Sequence, residues 1–492
     1  MMSKKITIVG GGTAGWMSAL IFNHLWQDKG FKIELIESSE ISTVGVGEGS
    51  TPALKVFFDK LGIDEHEWMS QCSATYKCGI TFKNWSTIPD FNSYHHPFPN
   101  ELDNRYLSTF TQHCQRRLQG ENVFAHPDEF FLATQLSQQS LSPIAQHSFP
   151  FEQTYGYHFD ATLLGQFLAK KAQQRGIIHT KATIEHVSLN PTNGNIKTLH
   201  TSDGQAIDGD LFVDCSGFIS LLMTKALGVD FHSYQELLFN DKAIAIPTSL
   251  EQPISSQTVS TALNNGWAWK IPLTNRQGNG YVYSSSYCDS DQAETELRAH
   301  LGILDCDIEA RHLSMKVGRL TKHWHKNCLA VGLSQGFIEP LEATALLLIQ
   351  QTAAIFAQYW EKSEWQDSQQ QAFNQRINDL FDGVKDYIVA HYKTNTRNDT
   401  QYWRDNQLGL DKISPSLQHI LQCWQQGGDL SKELKRQNIE QYYPNMSWYC
   451  LLAGMGIFPN QQSLRDARPN IELATIQDFF KRCALNFPTH QP

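Results

Sequence analysis

Residues Ile6-Thr7-Ile8-Val9-Gly10-Gly11-Gly12-Thr13-Ala14-Gly15-Trp16 decide the fold. An apolar run, a glycine turn and a helical pattern reaching about His24 predict, in that order, the strand, turn and helix of a dinucleotide cradle. The first glycine makes the tight turn, the second lets phosphates approach the backbone, and the third lets helix pack on strand. Unpaired N–H groups at the helix start then face the anion. A second strand, residues 32–36, ends in Glu37, about 20 residues past the turn, where an acid binds a ribose hydroxyl. The competing reading, a glycine-rich turn in an unrelated α/β protein, is weakened by this strand–helix–strand setting.

The chain has 492 residues, enough for two or three domains or one large domain with insertions. A net charge of −10, with no basic run longer than pairs such as Lys4-Lys5 and Lys435-Arg436, argues against a nucleic-acid partner. Ten cysteines without a CxxC pair or regular spacing read as reduced thiols, so neither a metal nor a disulfide framework is expected. The start of the chain shows no signal-peptide pattern, and runs such as Leu346-Leu347-Leu348-Ile349 are too short to span a bilayer. The expectation is a soluble, cytoplasmic protein with no membrane partner.

Beyond Glu37, the loop Val44-Gly45-Val46-Gly47-Glu48-Gly49-Ser50-Thr51-Pro52 is suited to lie along a ligand and leads into a helix to about Leu61. Residues 76–85 alternate like one strand, with Lys77 near its start. Residues 86–150, rich in His, Pro, Gln and aromatics, read as a pocket-building insertion. Asp160 caps a helix to about Arg175, and residues 177–187 and 194–201 read as a hairpin around Asn190-Pro191-Thr192-Asn193-Gly194. Residues 209–218 form a buried strand ending in a small-residue turn. Short strand-like segments over 242–320 predict a second, antiparallel sheet roofing the cofactor. A strand over 328–332 leads through Pro340 into a long helix starting near Leu341, and the remainder is helix-rich.

A nucleotide-binding domain interrupted by insertions, whose later strand ends at a second ligand-facing turn, is the layout of FAD-binding monooxygenases. The expected fold is therefore α/β: an FAD-binding, Rossmann-like module of the aromatic-monooxygenase (GR2) type over 1–85 and 155–345 with an inserted antiparallel sheet. A substrate-pocket insertion over 86–154 and a helical C-terminal region over 346–492 complete it.

At this point the chain resembles the flavin-dependent halogenases, in particular the tryptophan halogenase group. The motifs carrying the resemblance are Gly10–Trp16, Gly45-Val46-Gly47-Glu48, Tyr76-Lys77-Cys78-Gly79-Ile80 with Asn84-Trp85, Trp267-Ala268-Trp269-Lys270-Ile271-Pro272, and Pro340-Leu341-Glu342-Ala343-Thr344. They run in the family's order over nearly the whole chain. The resemblance implies that Trp267 and Trp269 keep substrate away from the flavin. It further implies that reduced FAD, O2 and a chloride or bromide ion yield hypohalous acid. Lys77 then hydrogen-bonds and polarises that acid, or forms a haloamine with it, for electrophilic halogenation of an indole or other electron-rich aromatic. Glu342 matches a carboxylate beside the lysine that orients the electrophile or takes the ring proton. The amides of Thr344 and Ala345, read as belonging to the first helical turn, suit a halide. Ala343-Thr344-Ala345 stands where the family commonly has Ser-Thr-Gly.

The flavin-binding residues so implied are Gly10, Gly12, Thr13, Ala14, Gly15, Glu37, Val46, Gly47, Glu48, Ile184, Leu333 and Leu346. His96 and Phe98 match rings that sandwich an indole, and Tyr442 and Tyr443 match paired tyrosines that grip an amino-acid head group. No glutamate follows these tyrosines before Ser447-Trp448, so the expected substrate is an aromatic that need not be free tryptophan. With no second dinucleotide fingerprint, a separate NAD(P)H-dependent flavin reductase is the expected partner, and a homodimer is left open. The readings weighed against this are a flavin monooxygenase hydroxylating its substrate directly and a non-catalytic FAD-binding protein.

Overall fold

A computed structural model describes residues 4–40, 47–459, 463–467 and 471–491. The chain divides into two compact units, one of 1–74, 159–236 and 315–381, the other of 75–158, 237–314 and 382–492.

The first unit is built on a six-stranded sheet in the order Trp324–His325, Cys328–Ala330, Leu211–Asp214, Lys5–Val9, Lys32–Glu37, Ile178–Lys181. All its neighbours are parallel except the outermost pair. Such strands are covered on both faces, which is why Ile6, Ile8, Leu35, Phe212, Val213 and Leu329 are fully buried. The helix Thr13–Trp26 connects the first two strands and packs against the later helix Ala345–Lys362. Their contact carries an aromatic core in which Phe22 stacks on Trp26 at 4.9 Å and Trp360 meets Trp26 at 5.3 Å. The expected strand over 177–187 is two strands here: Ile178–Lys181 pairs with Lys32–Glu37, whereas Ile184–Leu189 turns away to pair with Ile196–Thr201.

The second unit centres on a seven-stranded sheet in the order Arg311–Ser314, Lys242–Thr248, Gln277–Tyr283, Gly266–Pro272, Thr258–Leu263, Gly79–Lys83, Ser93–Pro97. It is antiparallel, as expected, but for the parallel pairing of Thr258–Leu263 with Gly79–Lys83. That pairing draws the boundaries differently from the sequence reading. Because Gly79–Lys83 and Ser93–Pro97 complete this sheet, residues 86–154 join it and the C-terminal helices in one unit instead of standing apart. Those helices include Pro415–Gln425, whose N-cap Ser414 accepts from the Leu417 amide, and Asn445–Gly454, which is buried from Met446 onward. The stretch read as an insertion also holds an 18-residue helix, Glu101–Leu118, started by a reciprocal capping box between Asn100 and Asp103.

The ten cysteines are free. Among the described residues, no helix is long and apolar enough to cross a membrane, and no cluster of three or more His, Cys, Asp or Glu could hold a metal ion.

Candidate active site

In the first unit the strand Lys5–Val9 delivers the chain into Gly10, whose φ of +117° is open to glycine. A Cβ there would lie 2.2 Å from the Cys215 carbonyl oxygen, so this turn and the 215–217 turn touch backbone to backbone. Gly12 is the N-cap of Thr13–Trp26 and offers no side-chain acceptor, which leaves the amides of Thr13, Ala14 and Gly15 to an external anion. Glu37 ends the second strand with its carboxylate over Gly11, where a Cβ would fall 2.3 Å from Glu37 Cδ. His179 Nε2 meets that carboxylate at 2.8 Å. This cradle, walled by backbone and closed by one acid, fits a dinucleotide.

Around it, Gly47 and Glu48 open the short strand Gly47–Gly49, and burial beside Asp160 pushes the Glu48 carboxyl up to about 7. Val46 lies outside the described residues. Leu333 occupies the turn Gly332–Ser334, and the Gly332 backbone meets the Ala14 side chain. Ile184 packs against an apolar cluster that includes Val9 and Ile36, and Leu346 is buried in the first turn of Ala345–Lys362.

The 340–345 stretch departs from the sequence reading. Pro340–Glu342 is a separate 3-10 turn, Ala343 is left-handed at φ +56°, and Thr344 is the N-cap of a helix that starts only at Ala345. A left-handed residue breaks the α-helical path, so Glu342 sits ahead of the helix and not in its first turn. Glu342 and Thr344 are buried, and no side chain caps the helix start.

In the second unit, residues 76–85 also differ from the single strand expected. Thr75–Lys77 pairs with residues 156–158, the chain breaks at Cys78, whose amide donates to Ser256 O at 2.7 Å, and Gly79–Lys83 continues in the large sheet. Lys77 therefore ends one strand and is fully buried, its Nζ 5.3 Å from the Phe98 ring centroid. Phe98 is held by its amide donating to Cys78 O at 2.7 Å. The strand Ser93–Pro97 runs antiparallel to Gly79–Lys83 with His96 opposite Ile80, and His96 Nε2 shares a 2.9 Å hydrogen bond with Ser447 Oγ. Its neighbour His95 bonds Thr81 and Ser137, and burial near His96 and Lys77 pushes it down to about 3, so it is a neutral core imidazole.

Trp267 and Trp269 share one face of the strand Gly266–Pro272, their rings 6.4 Å apart and edge to face. Tyr443 is buried and stacks at 3.7 Å on Tyr387, whose hydroxyl donates to Ser447 O at 3.0 Å. Tyr442 lies flat against Gly383. This unit thus gathers Lys77, Phe98 and His96, and it gathers Tyr443 with Tyr387 and Ser447. Tyr387 escaped the sequence reading because an aromatic inside the helix Gln370–Lys393 looks like any core residue.

The tryptophan halogenase family model matches residues 5–470. The 7-chloro-L-tryptophan 6-halogenase KtzR of Kutzneria sp. (strain 744) is 35% identical, over 99% of this chain and 98% of that one. The crystal structure of the tryptophan 6-halogenase SttH from Streptomyces toxytricini superposes with a TM-score of 0.85 at 33% identity, covering 99% of this chain and 98% of that one. Xcc4156, a flavin-dependent halogenase from Xanthomonas campestris, gives 0.85 at 31% identity, covering 100% of this chain and 97% of that one. Matched over nearly its whole length, the chain belongs to the tryptophan halogenase family and is a flavin-dependent halogenase.

Proposed function

We propose that this enzyme chlorinates or brominates an indole or similar electron-rich aromatic, with Lys77 as the residue that delivers the halogen. The observation carrying this reading is the fully buried Lys77 ammonium facing the Phe98 ring in the unit that also holds His96. FAD is held by the amides of Thr13, Ala14 and Gly15, with Glu37 taking the ribose hydroxyls and residues Gly10, Gly12, Gly47, Glu48, Ile184, Leu333 and Leu346 around it. Bound in reduced form, it supplies with O2 and halide the hypohalous acid.

The chain's own residues do the rest. The backbone N–H groups of Thr344 and Ala345, at a helix start without a side-chain cap, hold the halide ion. Lys77 Nζ hydrogen-bonds the hypohalous acid and polarises its oxygen–halogen bond, which fixes one point of electrophilic attack. His96 and Phe98 stack the aromatic substrate, and the Ser447 hydroxyl holds the His96 ring in place. Glu342 orients the electrophile or takes the ring proton as aromaticity returns.

Tyr442 and Tyr443 line the substrate region, but no acid follows them before Ser447, and Tyr443 is committed to its stack on Tyr387. Losing a charge-assisted contact to an ammonium costs about 1.5–3 kcal/mol, roughly a factor of ten to a hundred in preference. The substrate is therefore recognised by its ring. A separate NAD(P)H-dependent flavin reductase supplies the reduced cofactor, and the free thiols support a cytoplasmic setting.

The test is incubation with FAD, a flavin reductase, NADH, O2, bromide or chloride, and a panel of indoles including tryptophan, read by product mass. Halogenated indoles are expected, with tryptophan no better than indoles lacking the amino-acid group. Clear preference for tryptophan would overturn the substrate class, and oxygenated products would overturn the reaction.

A further inference from the structure

The segment 488–491 is packed behind the Lys77 strand. Leu141 and Thr489 form an antiparallel bridge, the Ser142 amide donates to Pro488 O at 2.8 Å, and the His490 amide donates to Ser140 O at 2.8 Å. From its other side the His490 carbonyl accepts from the Ile254 amide at 3.3 Å. These bonds fix a buried imidazole whose Nε2 accepts from the Tyr76 amide at 3.3 Å and whose ring meets the Tyr76 ring at 5.7 Å. Tyr76 directly precedes Lys77. Just upstream of 488–491, Phe487 joins Cys483, Phe480 and Leu136 in an apolar cluster around Cys78, the residue after Lys77.

A matching anchor stands on the neighbouring strand. The Thr75 hydroxyl donates to Pro272 O at 2.7 Å, so its oxygen accepts from His158 Nδ1 at 3.2 Å. His158 Nε2 in turn accepts from Thr258 Oγ1 at 2.9 Å. Both imidazoles act as acceptors at Nε2, which only the neutral form can do. Burial pushes His490 down to about 4 and, with Lys77 and His490 nearby, holds His158 well below the usual histidine range.

We propose that His490 is a positioning residue for Lys77: by accepting from the Tyr76 amide it fixes the end of the Thr75–Lys77 strand, and so where the lysine presents its halogen. The proposal rests on the reading of Lys77 as the delivering residue. A flexible chain carrying a lysine would spread Nζ over several positions, and misplacement of about 1 Å is enough to cost a factor of about a hundred in rate. Hypohalous acid made upstream would then escape without reacting on the substrate.

The experiment uses the full chain with FAD, a flavin reductase, NADH, O2, bromide and indole, and a fast-reacting β-diketone in solution as a trap for escaped hypobromous acid. Three quantities are read: brominated indole, brominated trap, and deuterium uptake at the amides of residues 75–77. For His490→Leu, which keeps the buried bulk but removes the acceptor, the ratio of brominated indole to brominated trap falls about tenfold and uptake at 75–77 rises. His490→Gln, whose amide oxygen replaces Nε2 as acceptor, restores both. If His490→Leu does not fold, His490→Asn, too short to reach the Tyr76 amide, is read the same way. An unchanged ratio and unchanged uptake in the acceptor-less variant overturn the proposal, as does His490→Gln behaving like His490→Leu. Failure of the underlying reading looks different, because Lys77→Ala would then still brominate indole.

Discussion

In the turn from Gly10 to Gly15, the proposed cofactor contacts fall to backbone amides and to one carboxylate at a strand end. Around Lys77 the same proposal assigns them to side chains, the lysine itself with His96 and Phe98, while Ser447 from a helix hundreds of residues later braces the His96 ring. The cradle works because atoms are missing, since a Cβ at Gly10 or Gly11 would strike Cys215 or Glu37. The aromatic region works because bulky groups are present and packed on one another. The first is therefore damaged by adding a methyl group, and the second by taking a functional group away.

Removing the lysine tests the second half of that contrast and has the largest expected effect. Lys77→Ala should lower halogenation by about a thousandfold or more while reduced flavin is still oxidised, followed by product mass and flavin absorbance in parallel. Loss of both activities would make Lys77 a packing residue.

Adding a methyl in the cradle comes next. In Gly11→Ala the new Cβ displaces the Glu37 carboxylate, which is at the far end of a flexible side chain, so the fold survives and the ribose contact suffers. FAD affinity, read by flavin fluorescence quenching, should fall roughly ten- to a hundredfold. Affinity equal to wild type would remove Glu37 from the cofactor site.

The smallest effect concerns charge at the cradle's edge. Glu48 has a folded carboxyl raised to about 7, so the folded state binds its proton more tightly than the unfolded state. Its contribution to stability is present below the unfolded value and is lost as pH rises toward 7. In the flavin-free protein, Glu48→Gln should abolish that loss and raise Tm by a few degrees at pH 8, with little change near pH 4.5. Equal pH dependence in both proteins would place the carboxyl in water.

The same contrast explains what could be read from the chain alone. The glycine turn of the cradle is specified within consecutive residues, and the strands on either side of it are legible because buried parallel strands concentrate apolar residues, Ile6, Ile8 and Val9 in one and Ile33, Leu35 and Ile36 in the other. The break at Cys78 was not, because it depends on Ser256 taking the amide that a continuous strand would have used elsewhere. The left-handed Ala343 was hidden for a similar reason: alanine is a helix former, and only the surrounding structure holds it at φ +56°. Helix Glu101–Leu118 did carry a local signal, Asn100 and Asp103 ahead of apolar positions, but it was masked by the polar composition of the stretch. His96 and Lys77 were named through family resemblance, whereas Tyr387 and His490 have no neighbours in sequence that mark them.

The break at Cys78 also separates two tasks. Lys77 takes its register from residues 156–158, while the wall that presents His96 takes its own from Gly79–Lys83. Shifting a strand by one residue turns every side chain to the opposite face, yet such a shift on one side of Cys78 need not pass to the other. A lineage or an engineer could therefore exchange the wall that carries His96 for a new one while the lysine keeps its station.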